Sequence, residues 1–287
     1  MQDPKGTLIS IGGNEDKGLE LDENHSLDFI EDGILKKVVD LGGGVNAKIK
    51  VITSASSIPV EVGENYLSAF GKLECNNIQI LNIGSKEQAN DPIFIQDIEE
   101  ADVVMFSGGD QRRLSQFFID SKILAVLKRR YQEEDGFVIA GTSAGAVAMS
   151  ETMVCGGSAE FAMKNGEVKI MEGLGFMNNV IIDSHFIKRG RFGRLAEAVA
   201  RHPELLGVGL GEDTAIIITG GCHFETIGSG MIILFDGTEL KHNTVSKLRE
   251  GTPITIGNMV VHVLANNDQY DVTHKKLTAQ PFDVKQH

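Results

Sequence analysis

Short hydrophobic runs alternate along the chain with amphipathic stretches, and the pattern repeats several times. Thr7-Leu8-Ile9-Ser10-Ile11 is an apolar run stopped by Gly12-Gly13, and a polar loop follows to His25. Leu27, Ile30, Ile34, Leu35, Val38 and Val39 then recur at helical spacing. That spacing predicts a helix with Ser26 as its N-cap and the glycines at 42–44 as its stop. The same reasoning predicts a strand over 48–53, a helix over 59–73 and a strand over 78–83. A weaker helix leads to Ala101, residues 103–106 read as a buried strand, and 122–134 as a helix with Ile123, Leu124, Val126 and Leu127 on or near its apolar face. Val138-Ile139-Ala140 forms the next strand and Val180-Ile181-Ile182 another, before a helix through Leu195, Ala198 and Val199. Repeated β-α units argue for an α/β fold, a mostly parallel sheet with helices on both faces.

Beyond Gly228 the pattern changes to successive strands, 231–235 and 259–264, with turn signals at Asp236-Gly237 and Asn266-Asn267. No Pro- or Ser-rich linker sets this tail apart. Residues 228–287 are therefore expected to be an appended β segment of one α/β domain spanning 1–287.

The chain has 287 residues, 41% hydrophobic and 23% charged, an ordinary globular balance with length for a deep core. Its formal charge of −13 argues against general nucleic-acid binding, which needs a basic footprint. Cys75, Cys155 and Cys222 are far apart with no C-x-x-C, which suits three buried thiols rather than a disulfide framework or zinc site. Residues 1–6 carry no basic segment leading into an apolar run, and nothing approaches the ~20 apolar residues of a membrane span. A chain that begins here is expected to be soluble and cytoplasmic, without a membrane partner.

The candidate chemistry lies where strands end, because ligands of such sheets bind just past the carboxyl ends. Gly141-Thr142-Ser143-Ala144-Gly145 places one serine on a strand-to-helix turn, with glycines two positions to either side. A nucleophile raised on a sharp turn needs small residues there so that strand and helix can approach. The turn also aims the first N–H groups of the following helix at charge developing on a nearby carbonyl oxygen. Three further strand ends carry polar residues: Gly12-Gly13-Asn14-Glu15-Asp16, Ser107-Gly108-Gly109-Asp110-Gln111 and Asp183-Ser184-His185. The second suits a backbone donor at Gly109 that would join the N–H of Ala144 in an oxyanion hole. Asp110 would equally serve as an N-cap.

His185 is the best-placed of eight histidines to act as base for Ser143. His202 and His223 sit less favourably, and His25, His242, His262, His274 and His287 read as surface or loop residues. Lys188, Arg189, Arg191 and Arg194 gather at the start of the next helix, against the macrodipole. They need either a bound anion, such as a substrate carboxylate, or internal acidic partners. The acid that would orient His185 is open between Glu160 and Glu212. Asp183, two residues before His185 on one strand, would share its face, which suits substrate contact better. No His/Cys/Asp cluster offers a metal site, and no cofactor is called for.

Taken together, Ile9-Ser10-Ile11-Gly12-Gly13, Ser107-Gly108-Gly109-Asp110-Gln111, Gly141-Thr142-Ser143-Ala144-Gly145-Ala146, Asp183-Ser184-His185-Phe186 with its arginines, and Gly211-Glu212-Asp213-Thr214-Ala215 resemble the cyanophycinases, serine peptidases related to the aspartyl dipeptidase peptidase E. The resemblance implies a fold like class I glutamine amidotransferases. It also implies cleavage of cyanophycin, an aspartate backbone bearing arginine on each β-carboxyl, to β-aspartyl-arginine dipeptides. By position it implies Ser143 as nucleophile, His185 as base, and Gln111, Asp183, Arg189, Arg191 and Arg194 in the substrate site; Asp110, beside Gln111, is expected to bind substrate with them. The family's triad acid falls at either glutamate. Glu212, at a strand end, is favoured, which leaves Glu160 to bind substrate. Ser184 departs from the pattern, since cyanophycinases carry Gln there. Two alternatives are an aspartyl or isoaspartyl dipeptidase of other specificity and a catalytically silent module binding an acidic ligand. A homodimer is left open.

Overall fold

Alternating residues of the same strand belong to different cores. Leu8, Val104 and Phe106 pack into one hydrophobic cluster, and Ile9, Ile11, Val103 and Met105 into another on the opposite face. In the computed structural model, which describes residues 3–19 and 25–280, this alternation builds a sheet covered on both sides. The first half of the chain runs β1 (Thr7–Ile11), α1 (Ile34–Leu41), β2 (Ile49–Ile52), α2 (Pro59–Lys72), β3 (Ile78–Leu81), α3 (Pro92–Glu99), β4 (Val103–Phe106), α4 (Gln111–Phe118), α5 (Lys122–Glu133), β5 (Val138–Thr142) and α6 (Ala144–Val147). Strands β1, β5, β4, β2 and β3 lie side by side and all parallel. Helices α1 and α2 bury Val38, Val39, Tyr66 and Phe70 on one face. Helices α3 to α6 bury Ile98, Leu114, Phe118, Leu127 and Ala146 on the other.

The second half runs β6 (Thr152–Gly156), β7 (Lys169–Glu172), β8 (Val180–Asp183), α7 (Phe192–Arg201), β9 (Leu206–Leu210), β10 (Thr214–Thr219), β11 (His223–Gly228), β12 (Ile232–Asp236), β13 (His242–Asn243), β14 (Ile256–Gly257), β15 (Val260–Leu264), β16 (Gln269–Asp271) and β17 (Lys276–Thr278). Strands β10, β11, β16 and β17 extend the first sheet beyond β1 as an antiparallel wing. A second sheet has the order β15-β12-β9-β8. One of its faces supplies Ile182, Val208, Leu210 and Leu234 to the large core, and α7 covers the other through Leu195 and Val199. The parallel core with helices on both faces and the C-terminal strands agree with the α/β class expected from the sequence.

Some local expectations change. The helix expected from Ser26 starts only at Ile34, with Gly33 in the cap position. Before it, the Asp28 carboxylate accepts from the N–H groups of Ile30 and Glu31, and this local turn displaces helix. Strand β8 begins the second sheet rather than joining the first. Of the thiols expected to be buried, Cys75 is, but Cys155 and Cys222 are only half-buried. His25 and His262, read as surface or loop residues, are half-buried, the latter in β15 with its ring against Tyr270. His287, with residues 1–2, 20–24 and 281–286, lies outside the described residues.

Candidate active site

Ser143 occupies a turn that only a packed surrounding can enforce. Its φ of 50° and ψ of −107° are strained for an L-residue. Its N–H donates to the Ile11 carbonyl at 2.9 Å, tying the turn to the end of β1. The flanking glycines are there for closeness: a Cβ on Gly141 would meet the Gly145 backbone, and one on Gly145 would strike the Phe106 carbonyl. Strand β5 and helix α6 therefore cross at backbone contact, which lifts the hydroxyl above the sheet.

Beneath the turn lies a group whose position the sequence did not disclose. Glu15 is 3% exposed, and its carboxylate accepts from Thr142 Oγ1 at 2.5 Å and Tyr66 Oη at 2.7 Å, with Lys17 Nζ 2.8 Å away. Burial alone would raise its pKa, but Lys17 and these hydrogen bonds outweigh it and hold the carboxyl below the usual range. Thr142 precedes Ser143, so the carboxylate braces the elbow from below.

His185 reaches Ser143 across the gap between the two sheets. Its N–H donates to the Gly12 carbonyl at 2.8 Å, and the next N–H, of Phe186, donates to the Leu210 carbonyl at 3.0 Å. The ring fits because residue 13 has no side chain: a Cβ there would lie 2.5 Å from the imidazole, and its φ of +100° favours glycine as well. Ser143 Oγ is 2.9 Å from His185 Nε2, and His185 Nδ1 is 2.6 Å from Glu212 Oε1. Lys188 Nζ donates to the other Glu212 oxygen at 2.9 Å. Glu160, by contrast, is exposed, its backbone N–H donates to Ser158 Oγ at 3.1 Å, and among the described residues no hydrogen bond or ion pair joins it to His185. The geometry thus brings Ser143, His185 and Glu212 together and leaves Glu160 apart.

The protonation states follow from the surroundings. Burial lowers the His185 pKa, the Glu212 hydrogen bond works against it, and repulsion from Arg189 and Arg191 adds to the lowering. Burial alone would raise Glu212, but hydrogen bonds from His185 and Lys188 outweigh it and hold the carboxyl down. A neutral imidazole held by an ionised carboxylate is able to take the proton of a serine hydroxyl that attacks a carbonyl carbon. Among the described residues the backbone N–H groups of Gly109 and Ala144 have no hydrogen-bond partner, which leaves both for a ligand oxygen. Gly109 has φ of +143°, and a Cβ on it would collide with the Ala55 carbonyl, to which the Asp110 N–H donates at 2.9 Å.

A cavity of about 570 Å³ opens beside Ser143, walled by Gly109, Asp110, Gln111, Arg112, Arg113, Cys155, Ser184, Arg189, Arg191 and Arg194 among others. Asp183 is not among its walls. It is fully buried, its oxygens taken by Arg191 at 3.0 Å and by Arg194 at 2.5 and 2.8 Å. The expected substrate contact is corrected accordingly: β8 ends at Asp183 and His185 has φ of +48°, so the two side chains part instead of sharing a face. Among the described residues Arg189 has no carboxylate partner and stays exposed. Gln111 donates through Nε2 to the Val154 carbonyl at 2.8 Å, which leaves its amide oxygen for the cavity. Ser184 is nearly buried, its N–H on Asp183 and its carbonyl accepting from Arg191. Arg112 and Arg113 were missed by the sequence reading, although they directly follow Gln111 in the same motif. Among the described residues no group of three or more His, Cys, Asp or Glu is arranged to hold a metal ion. No described helix is long and apolar enough to cross a membrane.

The family model for peptidase family S51 matches residues 23–226. A cyanophycinase of Geminocystis herdmanii is 30% identical over 280 residues, covering 97% of this chain and 96% of its own. A cyanophycinase of Trichormus variabilis is 32% identical over 271 residues, covering 94% and 86%. Both matches run on past residue 226, where the family model stops, into the C-terminal strands. Among solved structures, a peptidase from an acI-B1 actinobacterium superposes with a TM-score of 0.64 at 19% identity, covering 94% of this chain and 98% of the other. A putative peptidase E from Listeria monocytogenes gives 0.50 at 13% identity, covering 79% and 99%. At these identities the two structures bear on the fold alone.

Proposed function

The chain belongs to peptidase family S51 and is a serine-type peptidase, and on that premise we propose that it hydrolyses cyanophycin to β-aspartyl-arginine dipeptides through an acyl-enzyme on Ser143. The observation that carries the mechanism is the line Ser143 Oγ to His185 Nε2 at 2.9 Å and His185 Nδ1 to Glu212 Oε1 at 2.6 Å, at the edge of an arginine-walled cavity. In this reading substrate carboxylates dock on Arg189 and on the faces of Arg191 and Arg194 turned to the cavity. The scissile carbonyl oxygen points at the N–H groups of Gly109 and Ala144. Ser143 attacks as His185 takes its proton, and the imidazolium is held by Glu212. His185 then gives the proton to the leaving amine, and water, activated by the same imidazole, releases the aspartyl ester.

Two features set this reading apart from a silent binding module. A binding module has no use for a strained serine, and the strain at Ser143 is accompanied by a base and an acid in line. Ser143→Ala should lower turnover of cyanophycin by roughly 10⁴-fold or more, with the fold intact. Unchanged hydrolysis would overturn the proposal.

A second reading rests on Ser184, a short and nearly buried side chain where cyanophycinases carry Gln. It favours an aspartyl or isoaspartyl dipeptidase with a different partner residue. A panel of α- and β-aspartyl peptides beside cyanophycin separates the two, since a dipeptidase would cut the short peptides and leave the polymer.

A further inference from the structure

Among the described residues the cavity walls hold five guanidinium groups, of Arg112, Arg113, Arg189, Arg191 and Arg194, and one carboxylate, Asp110. Such a wall suits the carboxylates of an aspartyl substrate and repels a cationic side chain everywhere except at Asp110. That single carboxylate is not free. Arg112 sits on it in a forked arrangement, Nε 2.9 Å from Oδ1 and Nη2 2.6 Å from Oδ2. The pair is open to solvent, with the Arg112 side chain 64% and the Asp110 side chain 37% exposed. Exposed pairs of this kind are weak and readily exchanged.

We propose that Asp110 is the acceptor for the cationic arginine arm of the substrate, and that Arg112 is an internal stand-in for that arm which the substrate displaces. The inference rests on the reading of the chain as a peptidase acting on arginine-bearing aspartyl chains. Arg112 presents to Asp110 the same planar fork that a substrate guanidinium would present, so exchange conserves the charge-assisted hydrogen bonds. The displaced Arg112 swings into solvent. Asp110 therefore selects for the arm, while Arg112 keeps the one anionic spot of the cavity from binding stray cations.

The test compares short aspartate oligomers carrying arginine or its neutral isostere citrulline on the β-carboxyls. Wild type should cut the arginine oligomer better. Asp110→Asn keeps the capping function, since Asn caps a helix as well as Asp, and matching thermal unfolding would verify the fold. It should lose roughly tenfold or more of kcat/KM on the arginine oligomer relative to the citrulline one. Arg112→Ala should lower KM for the arginine oligomer about two- to fivefold, as expected for removing a competitor held by an exposed ion pair. Equal losses on both oligomers in Asp110→Asn, or an arginine-oligomer KM unmoved or raised in Arg112→Ala, would overturn the inference. Wild type cutting both oligomers equally well would overturn it too and leave the proposed peptidase function standing. Wild type cutting neither would remove both.

Discussion

His185 works under opposing influences, and their balance sets the acidic side of the activity. Burial and two nearby guanidinium groups favour the neutral ring, while Glu212 favours the cation. The net effect is a pKa below the ordinary imidazole value, and the neutral ring is the form that accepts the Ser143 proton. Activity is therefore present above that pKa and is lost as pH falls through it, so the acid limb of kcat/KM lies below the usual histidine range. Arg189→Gln removes one repelling charge and must raise the His185 pKa. The expected outcome is an acid limb moved to higher pH in the kcat/KM profile of the variant. A limb left in place or moved lower would show that Arg189 does not act on the ring. Ser143 was legible in the sequence because its turn is written in five consecutive residues. Glu212 was favoured over Glu160 only for its place at a strand end, because the sequence does not show which carboxylate faces the imidazole. Gly12-Gly13 marked a strand end that looked suited to a ligand, and the space at Gly13 is filled by the His185 ring. Glu15 stood out only as part of that polar strand end, and its bracing role was hidden because only the folded chain brings it under Thr142.

Helix α7 begins where cations are least welcome, at the positive end of its own dipole. The sequence left two explanations open, an internal acid or an external anion, and the element uses both kinds of position. Asp183, at the end of β8, holds Arg191 and Arg194 from a fully buried site, whereas Arg189 stays exposed and without an acidic partner among the described residues. The carboxylate thus fixes the start of α7 against the second sheet and presents two arginines to the cavity in a set orientation. Asp183→Asn would leave the buried Arg194 and the half-buried Arg191 without a counter-charge, which costs about 3–5 kcal/mol when one partner of a buried pair is removed. A clear fall in the denaturant midpoint is expected, together with a raised KM from arginines that have lost their anchor. A midpoint equal to that of the wild type would mean that the pair holds nothing in place. The sequence could not disclose this arrangement. Strand alternation put Asp183 and His185 on one face, and it is the end of β8 between them that turns one inward and the other toward Ser143.

The two sheets are joined by the part of the chain that read as an appendage. Strand β12 pairs with β9 from Ile232↔Leu210 to Phe235↔Gly207, and so sits between β9 and β15. Phe235 packs against Phe186 and Phe192, with ring centroids 5.9 and 4.7 Å apart, directly beside the segment that carries His185. Strand β16 adds to β11 in the other sheet through Tyr270↔Phe224, and Lys275 reaches Asp236 at 2.8 Å to link the two wings. These contacts support the proposal that the chain folds as one unit in which the C-terminal strands are structural partners of the site. Cutting at Gly228 would uncover the β9 edge and strip Ile232, Leu234 and Leu264 from the large core, leaving an apolar edge prone to pairing with other chains. The full chain should then unfold in one transition seen alike by far-ultraviolet circular dichroism and by loss of hydrolysis, and a chain ending at 228 should be insoluble or inactive. A truncated chain that stays soluble, unfolds cooperatively and still hydrolyses its substrate would show that the C-terminal strands are an independent addition. One outcome makes the C-terminal strands part of the catalytic scaffold, because β12 pairs along β9, whose Leu210 carbonyl holds the Phe186 N–H next to His185, and the other confines that scaffold to the strands and helices that precede Gly228.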